Sequence, residues 1–196
     1  MPDKIHKFSI MSDEELMLQV CNGEEAAFDE IYYRYGKRLL GYFTRMLNFD
    51  KLLAEDALQD LFLKIAETPE RFDNRRSFKT WIFSVASNHC KNYYRHKKVV
   101  SESKDDLIYL NDSLNEDVLL TSISKMDGLL FRKKLEEVLN DLAIEKKEAF
   151  ILKYQEEKTI AEIAIIQNCP EGSVKSRLHY TIKVLEEKLK LFNPIA

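Results

Sequence analysis

The sequence predicts an all-α fold: two small helical domains joined by a flexible linker, the second of them a helix-turn-helix. Three observations lead there. Apolar residues recur at three- and four-residue steps over 12–95 and again from Leu130 to Leu191, and no stretch alternates at period two for long enough to make a sheet. Between these blocks, 97–130 accumulates Ser, Asp and Asn, with seven acids against four bases, which is the composition of a linker. Finally, Thr159–Leu185 reads as helix, short turn, helix. The boundaries drawn are 1–96, 97–130 and 131–196, with no internal repeat.

Each element has a local cause. Leu16, Val20, Phe28, Ile31, Tyr35, Leu39, Phe43 and Met46 form one amphipathic period, interrupted at Asn22-Gly23. A helix fits 50–67, with Asp50 as its N-cap and Pro69 closing it. The loop Arg71–Ser77 leads into a third helix over 78–96. Short helical turns are expected around Val118–Ile123 inside the linker. The second block carries Leu130, Leu135, Val138, Leu139, Leu142, Phe150 and Tyr154 at helical spacing. Thr159 and Glu162 form a T-x-x-E capping box for the segment IAEIAII. Asn168 stands where a tight turn is required and tolerates a left-handed backbone. Pro170 suits the first turn of the next helix, where its missing N–H costs nothing.

Composition narrows the function. At 196 residues and 45% apolar, the chain can build cores, and five Gly and four Pro are too few for a low-complexity chain. No stretch has the roughly 18 apolar residues of a membrane span and no signal-peptide core precedes the first helix, so a cytoplasmic protein is expected. Cys21, Cys90 and Cys169 are odd in number and unpaired in spacing, which disfavours a disulfide framework or a zinc site. His6, His89, His96 and His179 are scattered, His89 points toward a buried stripe, and no Gly-rich phosphate loop exists. The expectation is a protein that is not an enzyme and holds no metal or cofactor.

The net charge of −3 conceals a segregation. Residues 12–30 carry seven acids and no Lys or Arg, whereas 71–98 carry eight Lys or Arg against Asp73 alone. Such a chain can present a basic surface despite its acidic total. The helix from Glu171 sorts its faces: Val174, Leu178, Ile182, Leu185 and Leu189 share one stripe. Ser173, Ser176, His179, Tyr180 and Lys183 gather opposite, flanked by Lys175 and Arg177. No acid occurs between 172 and 185, unlike an ordinary amphipathic surface helix, and these groups can reach base edges and phosphates of duplex DNA. The helix at 78–96 sorts likewise. Ile82, Phe83, Ala86, Cys90 and Tyr93 form its buried stripe, and Trp81, Ser84, Asn88, Lys91, Asn92 and Arg95 fall elsewhere. Just before it comes Phe72-Asp73-Asn74-Arg75-Arg76-Ser77. An aromatic platform beside a cationic groove is how proteins hold unpaired bases, so this half is expected to grip an opened strand.

Taken together, G-E-E-A-A-F-D-E-I-Y-Y-R-Y (23–35), A-E-D-A-L-Q-D-L-F-L-K (54–64), F-K-T-W-I-F-S-V-A-S-N (78–88), E-A-F-I-L-K-Y (148–154) and E-I-A (162–164) followed by C-P-E-G-S-V-K-S-R-L (169–178) resemble the extracytoplasmic-function sigma factors of bacterial RNA polymerase. The resemblance implies a factor that binds polymerase core and directs promoter recognition, DNA melting and transcription initiation. It implies that Asp56, Gln59, Asp60, Phe62 and Leu63 contact the polymerase clamp. Phe72, Asn74, Arg75, Arg76, Ser77, Trp81, Ser84, Asn88, Lys91, Asn92 and Arg95 would hold the melted −10 strand. Ser173, Lys175, Ser176, Arg177, His179, Tyr180 and Lys183 would read the −35 duplex. The acidic tether would thread toward the polymerase channel, the flap would be a further polymerase contact, and an anti-sigma protein is a possible partner. This chain departs from the family pattern at Ala143, Lys147, Glu157-Lys158 and Asn168, where Pro, Arg, a Gly-apolar pair and Gly are usual. Two other readings stay open: a stand-alone helix-turn-helix regulator binding its operator without polymerase, and a module whose basic helices bind an acidic protein.

Overall fold

The structure is a computed structural model that describes residues 7–102 and 123–192. The N-terminal half contains α1 (Asp13–Cys21), α2 (Glu25–Met46), α3 (Lys51–Glu67), a 3-10 turn at Pro69–Arg71 and α4 (Phe78–Glu102). The C-terminal half contains α5 (Ile123–Asn140), α6 (Ile144–Tyr154), α7 (Ile160–Gln167), α8 (Glu171–Lys188) and a 3-10 turn at Lys190–Phe192. All regular elements among the described residues are helical.

The local signals act as chemistry dictates. Ser12 and Glu15 close a capping box on α1, and Gly23, at φ 84°, makes the break before α2. Asp50 caps α3 by accepting the Leu53 N–H at 3.0 Å. Thr159 and Glu162 cap α7 reciprocally. Asn168 ends α7 in the left-handed conformation, φ 51° and ψ 55°. Pro170 takes the N-cap of α8, one position before the first-turn place expected of it.

Two boundaries differ from expectation. Helix α4 runs to Glu102 rather than stopping at 96, because KKVVSE contains no Gly or Pro to end it. Helix α5 starts at Ile123, inside the expected linker, and passes through Gly128, which a helix interior tolerates at a cost of about 1 kcal/mol. Of the helical turns expected around 118–123, all but Ile123 lie outside the described residues.

Long-range contacts set the start of α4. Its first N–H groups lack intrahelical partners. The Phe78 N–H donates instead to the Glu14 carboxylate on α1 at 2.9 Å, and the Thr80 N–H to the Ser77 hydroxyl at 3.3 Å. Arg34 ties the chain before α1 to α2, donating to the carbonyls of Phe8, Ser9 and Met11 and to Asp13. Tyr35 donates to the same Asp13.

One hydrophobic core runs through both halves. It joins Leu16, Ile31, Leu39, Phe43, Leu61, Phe78, Ile82 and Phe83 to Ile151, Leu152, Ile163, Ile166 and Val174. Helix α7 lies against α4, and α6 against α2. A smaller cluster of Val138, Leu139 and Leu185 holds α5 to α8.

Candidate nucleic-acid interface

The loop before α4 supplies two exposed cations. Arg75 and Arg76 point outward and share Asp73, at 2.9 and 3.7 Å. Hydrogen bonds from Arg75 hold the Asp73 carboxyl down at about 2, so it stays charged and offsets part of the basic field. Asn74 is half-buried and Ser77 exposed.

Phe72 does not belong among the strand contacts. Its ring is 5% exposed and sits in the core, 5.2 Å from both Phe78 and Trp81. Nor is Trp81 the free outward platform expected. It is half-buried, with its ring tilted over Phe72 and Phe78. Helical periodicity places Trp81 outside the stripe of α4, but the loop folds back and carries Phe72 beneath it.

Further along α4, Asn88, Asn92 and Arg95 are exposed, and Arg95 donates to Asn92 at 3.1 Å. Asn88 and Asn92 line an open groove of about 430 Å³ between α3 and α4 with Lys64, His89, Tyr93 and His96. Burial, and then the neighbouring Lys64, push the His89 imidazole below its ordinary value, so it is neutral at pH 7. Lys64, His89 and His96 were not singled out from sequence as ligand groups; they flank the Asn pair only once α3 lies beside α4. Ser84 is half-buried, its hydroxyl donating to the Thr80 carbonyl of its own helix at 3.0 Å. Lys91 is directed at Glu148 of the other half, 3.8 Å away.

On α8, Lys175, Ser176, His179, Tyr180 and Lys183 are exposed and Ser173 is half-buried, while Val174, Leu178, Thr181 and Leu185 are buried. Thr181 was not anticipated in the buried stripe. Its hydroxyl is satisfied by the Arg177 carbonyl at 2.9 Å. Arg177 is committed within the chain: it donates to Gln167 Oε1 at 2.7 Å and lies 3.1 Å from Cys169 Sγ, bracing the turn. Lys146 on α6 adds a cation unseen in the sequence pattern, its Nζ 3.4 Å from the centre of the Tyr180 ring.

Helix α3 presents a further set of acids. Asp56, Gln59, Asp60 and Leu63 are exposed, and Leu63 and Leu52 are exposed large apolar groups on this helix. Phe62 is buried, its ring edge-on to Phe28 and Tyr32. Gln59, Phe62 and Leu63 line an open groove of about 680 Å³ with Glu55, Phe28 and Tyr32. Among the described residues no group of acids, His and Cys could hold a metal ion, and no helix is long and apolar enough to cross a membrane. Cys21, Cys90 and Cys169 are free thiols.

The family model for sigma-70 region 2 matches residues 31–99, and that for sigma-70 region 4 matches 132–183. Together they cover more than half of the chain, in the order of its two halves. Over 186 residues it is 27% identical to the ECF RNA polymerase sigma-E factor of Haemophilus influenzae, covering 92% of this chain and 96% of that one. The chain is an extracytoplasmic-function sigma factor. The RNA polymerase sigma-H factor of Pseudomonas aeruginosa is 24% identical over 182 residues, 91% of this sigma factor and 94% of the relative. Among solved structures, CnrH in complex with the cytosolic domain of CnrY superposes with a TM-score of 0.66 at 20% identity, covering 91% of this chain and 97% of that one. RpoE of Bartonella quintana, in complex with the anti-sigma factor NepR, gives 0.63 at 22% identity, covering 84% and 97%. A sigma factor binds core RNA polymerase and directs it to promoters for initiation, and this is the function of the chain.

Proposed function

We propose a division of labour within this sigma factor that follows its exposed faces. The loop with Asn74, Arg75 and Arg76, together with Asn88, Asn92 and Arg95 on α4, holds the opened −10 strand. The groove lined by Asn88, Asn92, Lys64 and His96 receives an unpaired base. Lys175, Ser176, His179, Tyr180 and Lys183 on α8 read the −35 duplex, with Lys146 reinforcing the phosphate field. Asp56, Gln59, Asp60 and Leu63 on α3 dock on the polymerase clamp, where acids beside an exposed Leu suit a protein surface and repel DNA. The factor works in the cytoplasm and does no chemistry itself. It contributes binding energy to opening, and the polymerase makes RNA. The observation that carries this reading is that two exposed faces of amides and cations stand on separate halves, while the α3 face carries exposed acids and Leu63.

Reconstitution with core polymerase tests it. The chain should co-purify with core and drive run-off transcription from a cognate promoter. Replacing Asn88 and Asn92 together by Ala should lower permanganate reactivity of unpaired thymines about thirtyfold, as expected for two lost hydrogen bonds of roughly 1 kcal/mol each, with a smaller loss of closed-complex binding. Equal losses in both would count against a strand-gripping role. A chain that binds duplex tightly as a dimer and ignores core would return the stand-alone regulator reading.

A further inference from the structure

The loop over 72–77 carries two of the cations assigned to the opened strand, and both of its ends are anchored. Phe72 and Phe78 are buried with their rings 5.2 Å apart, and Trp81 tilts over both. Between these anchors Asp73 shapes the turn. Its carboxylate accepts the Arg75 N–H at 3.1 Å and its carbonyl the Arg76 N–H at 2.9 Å. The exit belongs to Ser77, whose hydroxyl and carbonyl take the N–H groups of Thr80 and Trp81 at 3.3 and 3.0 Å. At the start of α4 the Phe78 N–H has no intrahelical partner. It is met from outside the element, by a Glu14 carboxylate oxygen at 2.9 Å, 64 residues earlier in the chain.

Helix α1 places Glu14 for this contact. Asp13, beside it, accepts from Arg34 and Tyr35 of α2, and the Tyr35 ring stands edge-on to Phe78 at 5.4 Å. The same helix packs against the 3-10 turn at Pro69–Arg71, which leads into the loop. One short helix therefore touches the entry of the loop, its exit and the aromatic group beneath it. The contact is a strong one of its kind. A carboxylate at the amino end of a helix is favoured by the helix dipole, and an ionised acceptor makes a stronger hydrogen bond than a neutral one. Glu14 is also half-buried, so salt screens it less than a surface acid.

We propose that Glu14 is a positioning residue for promoter opening. It touches no DNA and acts through the Phe78 N–H. The bond fixes the loop to the amino end of α4, so that Arg75, Arg76 and the Asn88–Asn92 pair meet the opened strand in one register. Side chains that must grip together need their backbone held by a second layer of contacts. A loosened junction therefore harms opening, which uses all of these groups at once, more than the first encounter with duplex, which needs mainly positive charge. The functional consequence rests on the strand-holding role proposed above; the bond to α1 does not.

Three variants separate the bond from the charge. Glu14→Gln keeps an oxygen within reach of the Phe78 N–H, Glu14→Asp keeps the charge but is one methylene too short, and Glu14→Ala loses both. In the free full-length chain Trp81 is the single tryptophan and reports on the junction. Its quenching by acrylamide should rise about twofold in Glu14→Ala and Glu14→Asp, as local opening uncovers the indole, and stay near wild type in Glu14→Gln. Circular dichroism should show equal helix in all four chains, which separates a loosened junction from unfolding. With core polymerase on a cognate promoter, Glu14→Ala and Glu14→Asp should lower permanganate reactivity of unpaired thymines about tenfold, the size of one lost hydrogen bond to a charged group. Glu14→Gln should retain most of the reactivity, and closed-complex binding should change far less in every case. Wild-type opening in Glu14→Ala, equal losses in closed-complex binding and opening, or Glu14→Gln as defective as Glu14→Ala overturns the proposal. A chain with Asn88→Ala and Asn92→Ala, assayed beside them, keeps the two readings apart. Normal opening there overturns the strand-holding face, whereas reduced opening there with normal opening in Glu14→Ala overturns the role of Glu14 alone.

Discussion

Replacing Lys158 by Met should make the chain more stable. Burial, and then the positive charge of Lys79, press the Lys158 ammonium down to about 8 from an ordinary 10.5. A displacement of that size corresponds to roughly 3 kcal/mol of preference for the neutral form. Part of this is offset when Met replaces the amine, because the bond to the Lys79 carbonyl, worth about 1 kcal/mol, disappears. The net gain at pH 7 should be about 1–3 kcal/mol, in the range seen when buried ions give way to apolar groups. The pH dependence supplies an independent check. Because the pKa is lower in the packed chain than in the unfolded one, below about pH 8 both states are protonated and the full cost is present. As pH climbs from about 8 toward 10.5 the packed chain sheds its proton first, and wild-type stability rises by up to about 1.4 kcal/mol per pH unit from this group. Lys147, held near 8 by burial, and the buried Cys90 thiol also titrate with folding, but they occur in both chains and cancel in the difference. Urea unfolding followed by circular dichroism at pH 7 and 9.5 measures it, and the advantage of Lys158→Met should narrow at the higher pH. A variant less stable than wild type at pH 7, by a margin that ignores pH, would refute the reasoning.

Two further expectations concern the C-terminal half. Thr159→Ala removes the reciprocal cap of α7 and should cost about 1 kcal/mol in thermal or urea unfolding. Burial works to raise the Glu162 carboxyl, but the Thr159 N–H and hydroxyl outweigh it and hold it below 4.5. The wild-type advantage should therefore persist above that pH and fade as acid protonates Glu162. Lys175→Ala, on the exposed face of α8, should weaken duplex binding almost uniformly across sequences. It should flatten the salt dependence by about one charge, read from filter binding or anisotropy over a salt series.

Punctuation was the readable part of the fold. Asp50, the Thr159–Glu162 pair and Asn168 act on backbone within a few residues, so their types announce helix ends without knowledge of anything distant. Much of the sorting of α8 was equally plain, because a single helix sorts its own sides, although Thr181 is buried and Ile182 only half-buried. What stayed hidden depends on neighbours far along the chain. Charged residues face solvent in most proteins, so nothing local marks Lys147, Glu148, Glu156 and Lys158 as buried, and their partners in the N-terminal half stand 79 or more residues away. Phe72 lay in a run of polar loop residues and so looked available to a base. Only Phe78 and Trp81 closing over it reveal a core ring. Arg177 misled for a similar reason: it sits beside the basic face of α8 and yet serves the turn.

The bond from the Phe78 N–H back to Glu14 has a consequence for biosynthesis. Every group that shapes the first turn of α4 has left the ribosome by the time that turn is made, and the scaffold of α1, α2 and α3 precedes it. The N-terminal half can therefore mature while the remainder is still being translated. During that interval Tyr42, Arg38 and Arg45 stand bare, since Glu148 and Glu156 come more than a hundred residues later. Nascent chains thus pass through a stage in which the N-terminal half is finished and the buried acids that meet Tyr42, Arg38 and Arg45 have not yet been synthesised.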